Sequence, residues 1–309
     1  MVDKDVHASQ DTDHDSPWKE ALETRFPEFM ALLFSHIHPE IDWQRGYQFL
    51  DKELQQITPD ATNRRRYADK LARVHTLGGG ETWVLIHVEV QGEPERAFSQ
   101  RMYTYHYRLL DRYAVDVVSL AVLADRRLGF RPDRYQRGRW GCELEFRFPM
   151  VKLLDWDARW SELEASDNVF ALVVMAQIKA KACRSGEERQ RWKLHLIRLM
   201  YDRGYDRAQV VELFRVIDWM IQLPRELEPL FWRQVQEIEE TTKMPYVTTG
   251  ERLGMEKGLK QGLQQGRIEA RRETARNLLL TTDLDDATIA KVTNLAEAEI
   301  RALRAGTDH

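Results

Sequence analysis

The segment "YADKLARVHTLGGGETWVLIHVEVQ" (residues 67–91) constrains the fold most strongly. Two runs with a period of two flank the glycines Gly78, Gly79 and Gly80, a pattern that predicts a β-hairpin. In the second run Val84, Ile86, Val88 and Val90 form one wholly apolar face, which belongs against a core. A turn centred on Gly79 sets Asp69 opposite Glu89 and Leu71 opposite His87, with Gln91 diagonally beyond. Asp69, Glu89 and Gln91 then share the other face. Carboxylates directly opposite each other cost about 0.2–1 kcal/mol when exposed and more when buried. A hard divalent cation between them reverses that sign, and Mg²⁺ commonly takes one or two carboxylates plus waters and phosphate oxygens. The other reading is a rim position with the pair neutralised by arginines such as Arg73. His87 reads as a core histidine or as a ligand on the same face.

The flanking sequence supplies helices and further strands. "PWKEALETRFPEFMALLF" has helical spacing after a Ser-Pro start signal, and "YQFLDKELQQI" predicts a second, short helix. "AFSQRMYTYHYRLLDRY" reads as a helix, "DVVSLAVLA" as a buried strand and "CELEFRFPMVKLL" as a further strand. The order helix–strand–strand–helix–strand–strand predicts a mixed α/β core over residues 17–156. Four helical segments then form an all-α region over 157–247, and residues 1–16 read as a disordered lead-in.

The connection "DRRLGFRPDRYQRGRWG" carries Arg126, Arg127, Arg131, Arg134, Arg137 and Arg139, interleaved with Phe130, Tyr135 and Trp140. Guanidinium groups bind phosphates and aromatic rings stack on bases, so this stretch is either a nucleic-acid contact or an ordinary solvated loop. With 46 basic against 50 acidic residues, a nucleic-acid partner depends on such local patches.

In the tail, 248–309, Gly250, Gly254, Gly258, Gly262 and Gly266 recur every four residues. Glycines inside a helix each cost roughly 0.5–1 kcal/mol against alanine, which leaves a self-association helix or a flexible connector. "TTDLDDATIAKVTNLAEAEIRALR" predicts two short helices, similar to a helix-turn-helix but poor in base-reading side chains, which suits packing or homo-oligomerisation. Two cysteines, Cys142 and Cys183, do not make a disulfide framework, and no apolar run is long enough for a membrane span. Together these predict a soluble cytoplasmic protein.

Asp69, Glu89 and Gln91 in this element order resemble the PD-(D/E)XK nuclease superfamily. More closely they are similar to the recombination-promoting nucleases (Rpn), often labelled transposase-like. "FLDKELQQI", "ADKLARV" and "LIHVEVQGEPE" carry the resemblance, which spans most of the chain from about residue 20. It implies a restriction-endonuclease-like sheet flanked by helices, DNA as partner, and phosphodiester hydrolysis dependent on Mg²⁺ or Mn²⁺. Asp69 and Glu89 would be the metal ligands, Gln91 would help place the attacking water, and Glu53 would add an acid from the first core helix, with Asp51 next. Gln91 stands where the superfamily more often has lysine, and Ala68 replaces the proline of the motif. Glutamine brings neither charge nor a base, so the alternative is a nucleic-acid-binding or assembly protein that keeps the fold.

Overall fold

The computed structural model describes residues 17–51, 53–54, 66–78, 83–242 and most of 271–305. The lead-in 1–16, Arg64 and Arg65, the centre of the glycine turn and the Gly250–Gly266 pattern lie outside the described residues, as do the side chains of Asp69, His87 and Glu89.

The protein is mixed α/β. Its main sheet has five strands in the order β1 (Tyr47–Phe49), β2 (Arg66–His75), β3 (Trp83–Gln91), β4 (Val117–Leu123) and β7 (Met150–Lys152). β1, β2 and β3 run antiparallel in sequence, whereas β3, β4 and β7 are parallel. A parallel neighbour needs a crossover, and here helix α3 (Phe98–Tyr113) supplies it between β3 and β4. β3 is therefore an internal strand, as its valines and isoleucine require.

Alternate residues of the sheet serve two cores. Ala72, Val74, Ile86, Val88, Val90, Leu120 and Val122 join one large core on the first face. On the second face Leu71, Leu85 and Val117 pack with Leu109 of α3, while Ala121 and Leu123 pack with its Phe98 and Met102. The large core continues through α1 (Pro17–Thr24), α2 (Phe26–Leu33), α6 (Phe170–Ala182), α7 (Gly186–Asp202), α8 (Arg207–Met220) and α9 (Glu228–Thr242). Phe170 to Ile178 are buried without interruption, which makes α6 the central helix of this layer. Short α4 (Leu153–Asp157) and α5 (Trp160–Ala165) lead into it.

Polar ties join distant segments of this core. Trp18 Nε1 donates to Gln177 Oε1 at 2.8 Å, and Arg25 grips Glu212 through two hydrogen bonds of 3.0 and 2.7 Å. Near the C-terminus α10 (Asp286–Thr293) and α11 (Glu297–Ala305) pack around Ile289 and Ile300. Asp285 caps the first of these, and Asn294 in the left-handed region (φ 55°) ends it. These are the two short helices expected there.

Four sequence expectations need correction. Tyr47–Phe49 is a strand, not the start of a helix: Gly46 (φ 75°) breaks the chain, and Tyr47 and Phe49 pack on Phe26 at 5.2 and 5.5 Å. The first helical segment divides at Arg25, because Pro27 lacks the amide that a continuous helix would use. The arginine-rich connection is not a loop throughout. Its second half is β5 (Arg134–Arg139), paired with β6 (Cys142–Arg147) in a two-stranded ribbon outside the main sheet. Pro149 separates β6 from β7, so the expected single strand is two.

Candidate metal and nucleic-acid site

The β2–β3 ladder pairs Asp69 with Glu89 and Leu71 with His87, the register expected from the glycine turn. A bulge between Arg66 and Ala68 then brings Gln91 opposite Arg66. On its other side β3 pairs Glu89 with Ala121 and Gln91 with Leu123. Two acidic residues thus occupy directly opposed positions at the middle of a sheet, with Cβ atoms at such positions about 4.5–5.5 Å apart. Their donor chemistry is all oxygen, which suits Mg²⁺ or Mn²⁺ and not a zinc-type sulfur or imidazole set. Among the described residues no group of three or more His, Cys, Asp and Glu is placed to hold a metal, and the side chains of Asp69 and Glu89 are not among them.

Gln91 is buried, 2% exposed, and its amide is engaged at both ends. Nε2 donates to the Glu93 carbonyl at 2.6 Å, and Oε1 accepts from Arg101 Nη2 at 3.0 Å. Arg101, from the first turn of α3, also pairs with Glu95 and lies 5.4 Å from the Phe98 ring centre. A planar guanidinium bridging an amide and a carboxylate holds both in fixed orientation. Arg101 thus brings to Gln91 a positive charge that glutamine itself does not carry. The sequence reading missed this arginine, because only the β3–α3 crossover returns it to the strand end.

The two candidate helix acids separate. Asp51 pairs with Lys70, as does Glu23 of α1, and this lysine is 1% exposed. Positions 69 and 70 alternate across the sheet, so Asp51 is committed to the lysine next to Asp69 in sequence. One oxygen of Asp51 is buried with no hydrogen-bond partner among the described residues. Glu53 is half-buried beside Leu54, whose side chain enters the Leu71–Leu85 cluster on the α3 face.

Further along α3, His106 Nδ1 lies 3.3 Å from Ser119 Oγ, and its ring is 4.5 Å from Phe146 of the ribbon. Burial holds this imidazole below the usual histidine range.

The six arginines divide by environment. Arg131 makes a two-bonded pair with Asp155, and Arg134 pairs with Asp133. Those bonds raise both guanidinium pKa values and lower those of both acids. Arg126 donates to the Lys181 carbonyl at 3.1 Å, and the backbone N–H of Arg127 donates to Asp125 at 2.8 Å. Arg137 and Arg139 are exposed on β5 opposite Leu144 and Cys142, and form no ion pair among the described residues. Of the interleaved aromatics, Phe130 packs on Phe98 and Tyr135 stacks on Tyr103, while Trp140 is 92% exposed.

Cys142 is exposed and Cys183 buried, both as free thiols. No helix among the described residues is long and apolar enough to cross a membrane. In comparisons with known proteins, no family model, no curated protein and no solved structure matches this chain.

Proposed function

We propose that the chain is a metal-dependent DNA endonuclease with a restriction-endonuclease-like core, of the recombination-promoting kind. The observation that carries the reading is the pairing of Asp69 with Glu89 on an internal strand, with Gln91 two residues on. An opposed acid pair in mid-sheet is unfavourable by itself and is relieved by a shared cation. Asp69 and Glu89 would hold Mg²⁺ or Mn²⁺, with Glu53 the further candidate acid. When bound, the ion lowers the pKa of a water and offsets charge on the phosphodiester. Gln91, fixed by Arg101 and Glu93, would orient that water through its remaining hydrogen-bonding capacity, and Arg101 would add positive charge where a lysine is absent.

The same engaged amide favours a second reading, a nucleic-acid-binding protein that keeps this core without strong cleavage. Plasmid nicking with Mg²⁺, Mn²⁺ or EDTA decides between them, with Asp69→Ala and Glu89→Ala alongside. Metal-dependent nicking that both substitutions abolish supports the nuclease. Nicking that persists in both variants removes the site, and no nicking by a folded wild-type protein favours the binding protein.

A further inference from the structure

The β5–β6 ribbon has two chemically different faces. On one, Arg134 lies opposite Arg147, and these charges are matched by Asp133 and Glu145. On the other, Tyr135 and Phe146 form a pair that seats the ribbon on Tyr103 and His106 of α3. Toward the tip this second face continues as Arg137 beside Leu144 and Arg139 beside Cys142, with no acidic residue in the row. Cationic groups therefore run outward along one face from an aromatic footing.

Trp140 closes the tip. It and Gly141 are the two turn residues, both with positive φ, 54° and 81°. That backbone matches the right-handed twist of a two-residue hairpin, but its positions are ordinarily filled by Asn and Gly. A bulky aromatic in the left-handed region is strained, because its Cβ crowds the following carbonyl oxygen. This one recovers little by packing: it is 92% exposed, with the Arg139 guanidinium 4.5 Å from its ring.

We propose that the ribbon tip is a stacking platform for an unpaired base, with Arg137 and Arg139 on the adjoining phosphates. The proposal rests on the DNA reading above and narrows it to DNA that carries a single-stranded segment. A base offers its flat face to an aromatic ring only where it has no stacking neighbour on that side, which duplex interiors do not provide. Stacking tolerates any base, and the guanidinium pair tracks the backbone, so the recognition is of strand state and not of sequence. α3 links the two regions physically, since its first turn holds Gln91 through Arg101 and its next turn seats the ribbon through Tyr103.

The test is fluorescence anisotropy of labelled oligo(dT), and of a labelled duplex, in EDTA so that no metal-dependent cleavage intervenes. Base–aromatic stacking strengths convert to a loss of about 5- to 150-fold for oligo(dT) in Trp140→Ala. Trp140→Phe keeps most of that affinity, and duplex binding changes little in either variant. Replacing Arg137 and Arg139 by alanine lowers the slope of log affinity against log salt by roughly 1.4, for two single-strand phosphates. An exposed tip leaves the fold intact, checked by unchanged circular dichroism. Wild-type affinity for oligo(dT) in Trp140→Ala, an equal loss on duplex, or no oligo(dT) binding by the wild type overturns the proposal. The two readings fail separately. Nicking that depends on Asp69 and Glu89 with an inert Trp140 removes only the platform, whereas Trp140-dependent binding without nicking under any metal removes only the nuclease.

Discussion

Lys152→Met should be among the most damaging single changes in the protein, although the residue lies at the end of a three-residue strand. Lys152 Nζ reaches Asp125 Oδ2 at 2.5 Å and the Phe130 carbonyl at 3.2 Å. The side chains are 0% and 1% exposed, and the other oxygen of Asp125 accepts the Arg127 backbone N–H at 2.8 Å. Methionine keeps the aliphatic stem and most of the packing, so the loss isolates the charge. It leaves a buried carboxylate with one hydrogen bond and a carbonyl with none, which costs about 3–5 kcal/mol. Adding Asp125→Asn removes the stranded charge while keeping an acceptor for Arg127, so the double variant should recover most of the loss. Urea unfolding with the slope monitored is the assay, because a constant slope makes the midpoint shift a stability change. A loss below about 1 kcal/mol in Lys152→Met, or a double variant no better than the single, would refute the reasoning. The consequence reaches the ribbon, since Asp125 and Phe130 lie in the segment that leads into β5.

Three further outcomes follow from the geometry. In EDTA, Glu89→Gln should raise stability by about 0.2–1 kcal/mol by relieving the opposed charges, and should abolish any Mg²⁺-induced rise in melting temperature. An unchanged Mg²⁺ response in that variant would exclude the pair as the ion site. Arg101→Lys should slow nicking about 10- to 100-fold, because one ammonium does not reproduce a guanidinium that bridges Gln91 and Glu95. Burial lowers the folded-state pKa of His106 below its ordinary 6.5, so the unfolded chain binds the proton more readily. Its contribution to stability is therefore intact above pH 6.5 and declines as pH falls through 6.5, until the folded imidazole also protonates. His106→Gln should flatten that part of a pH–stability profile measured by urea unfolding.

The parts legible in the sequence are those where one residue pattern has one solution. The β2–β3 register followed from an apolar even-numbered face and a glycine turn, because a one-residue slip would turn Ile86, Val88 and Val90 away from their core. The four long helices of the C-terminal half were equally plain. The β5–β6 ribbon was not, because charged residues occupy both of its faces and Gly138 interrupts a strand. Its turn is Trp-Gly, which carries no hairpin signature by composition. Arg101 and Lys70 were illegible for another reason. Hydropathy assigns such residues to the surface, and only the folded chain brings Gln91 and Glu95 to the one, or Asp51 and Glu23 to the other.

The grip of Arg25 on Glu212 spans 187 residues, and Trp18 reaches Gln177 across 159. During synthesis at roughly 5–20 residues per second, about 10 to 40 s separate the making of Arg25 from that of Glu212. The α3 face of the sheet is covered from residues already made by the time β7 appears, whereas the core on the opposite face, begun by α1 and α2, is completed only by α6 to α9. A growing chain would therefore hold the face of the acid pair in nearly finished form while the core behind Ile86, Val88 and Val90 was still incomplete. Chaperones that shield apolar strands would meet this protein at that stage, and they would meet it on the side away from its proposed chemistry.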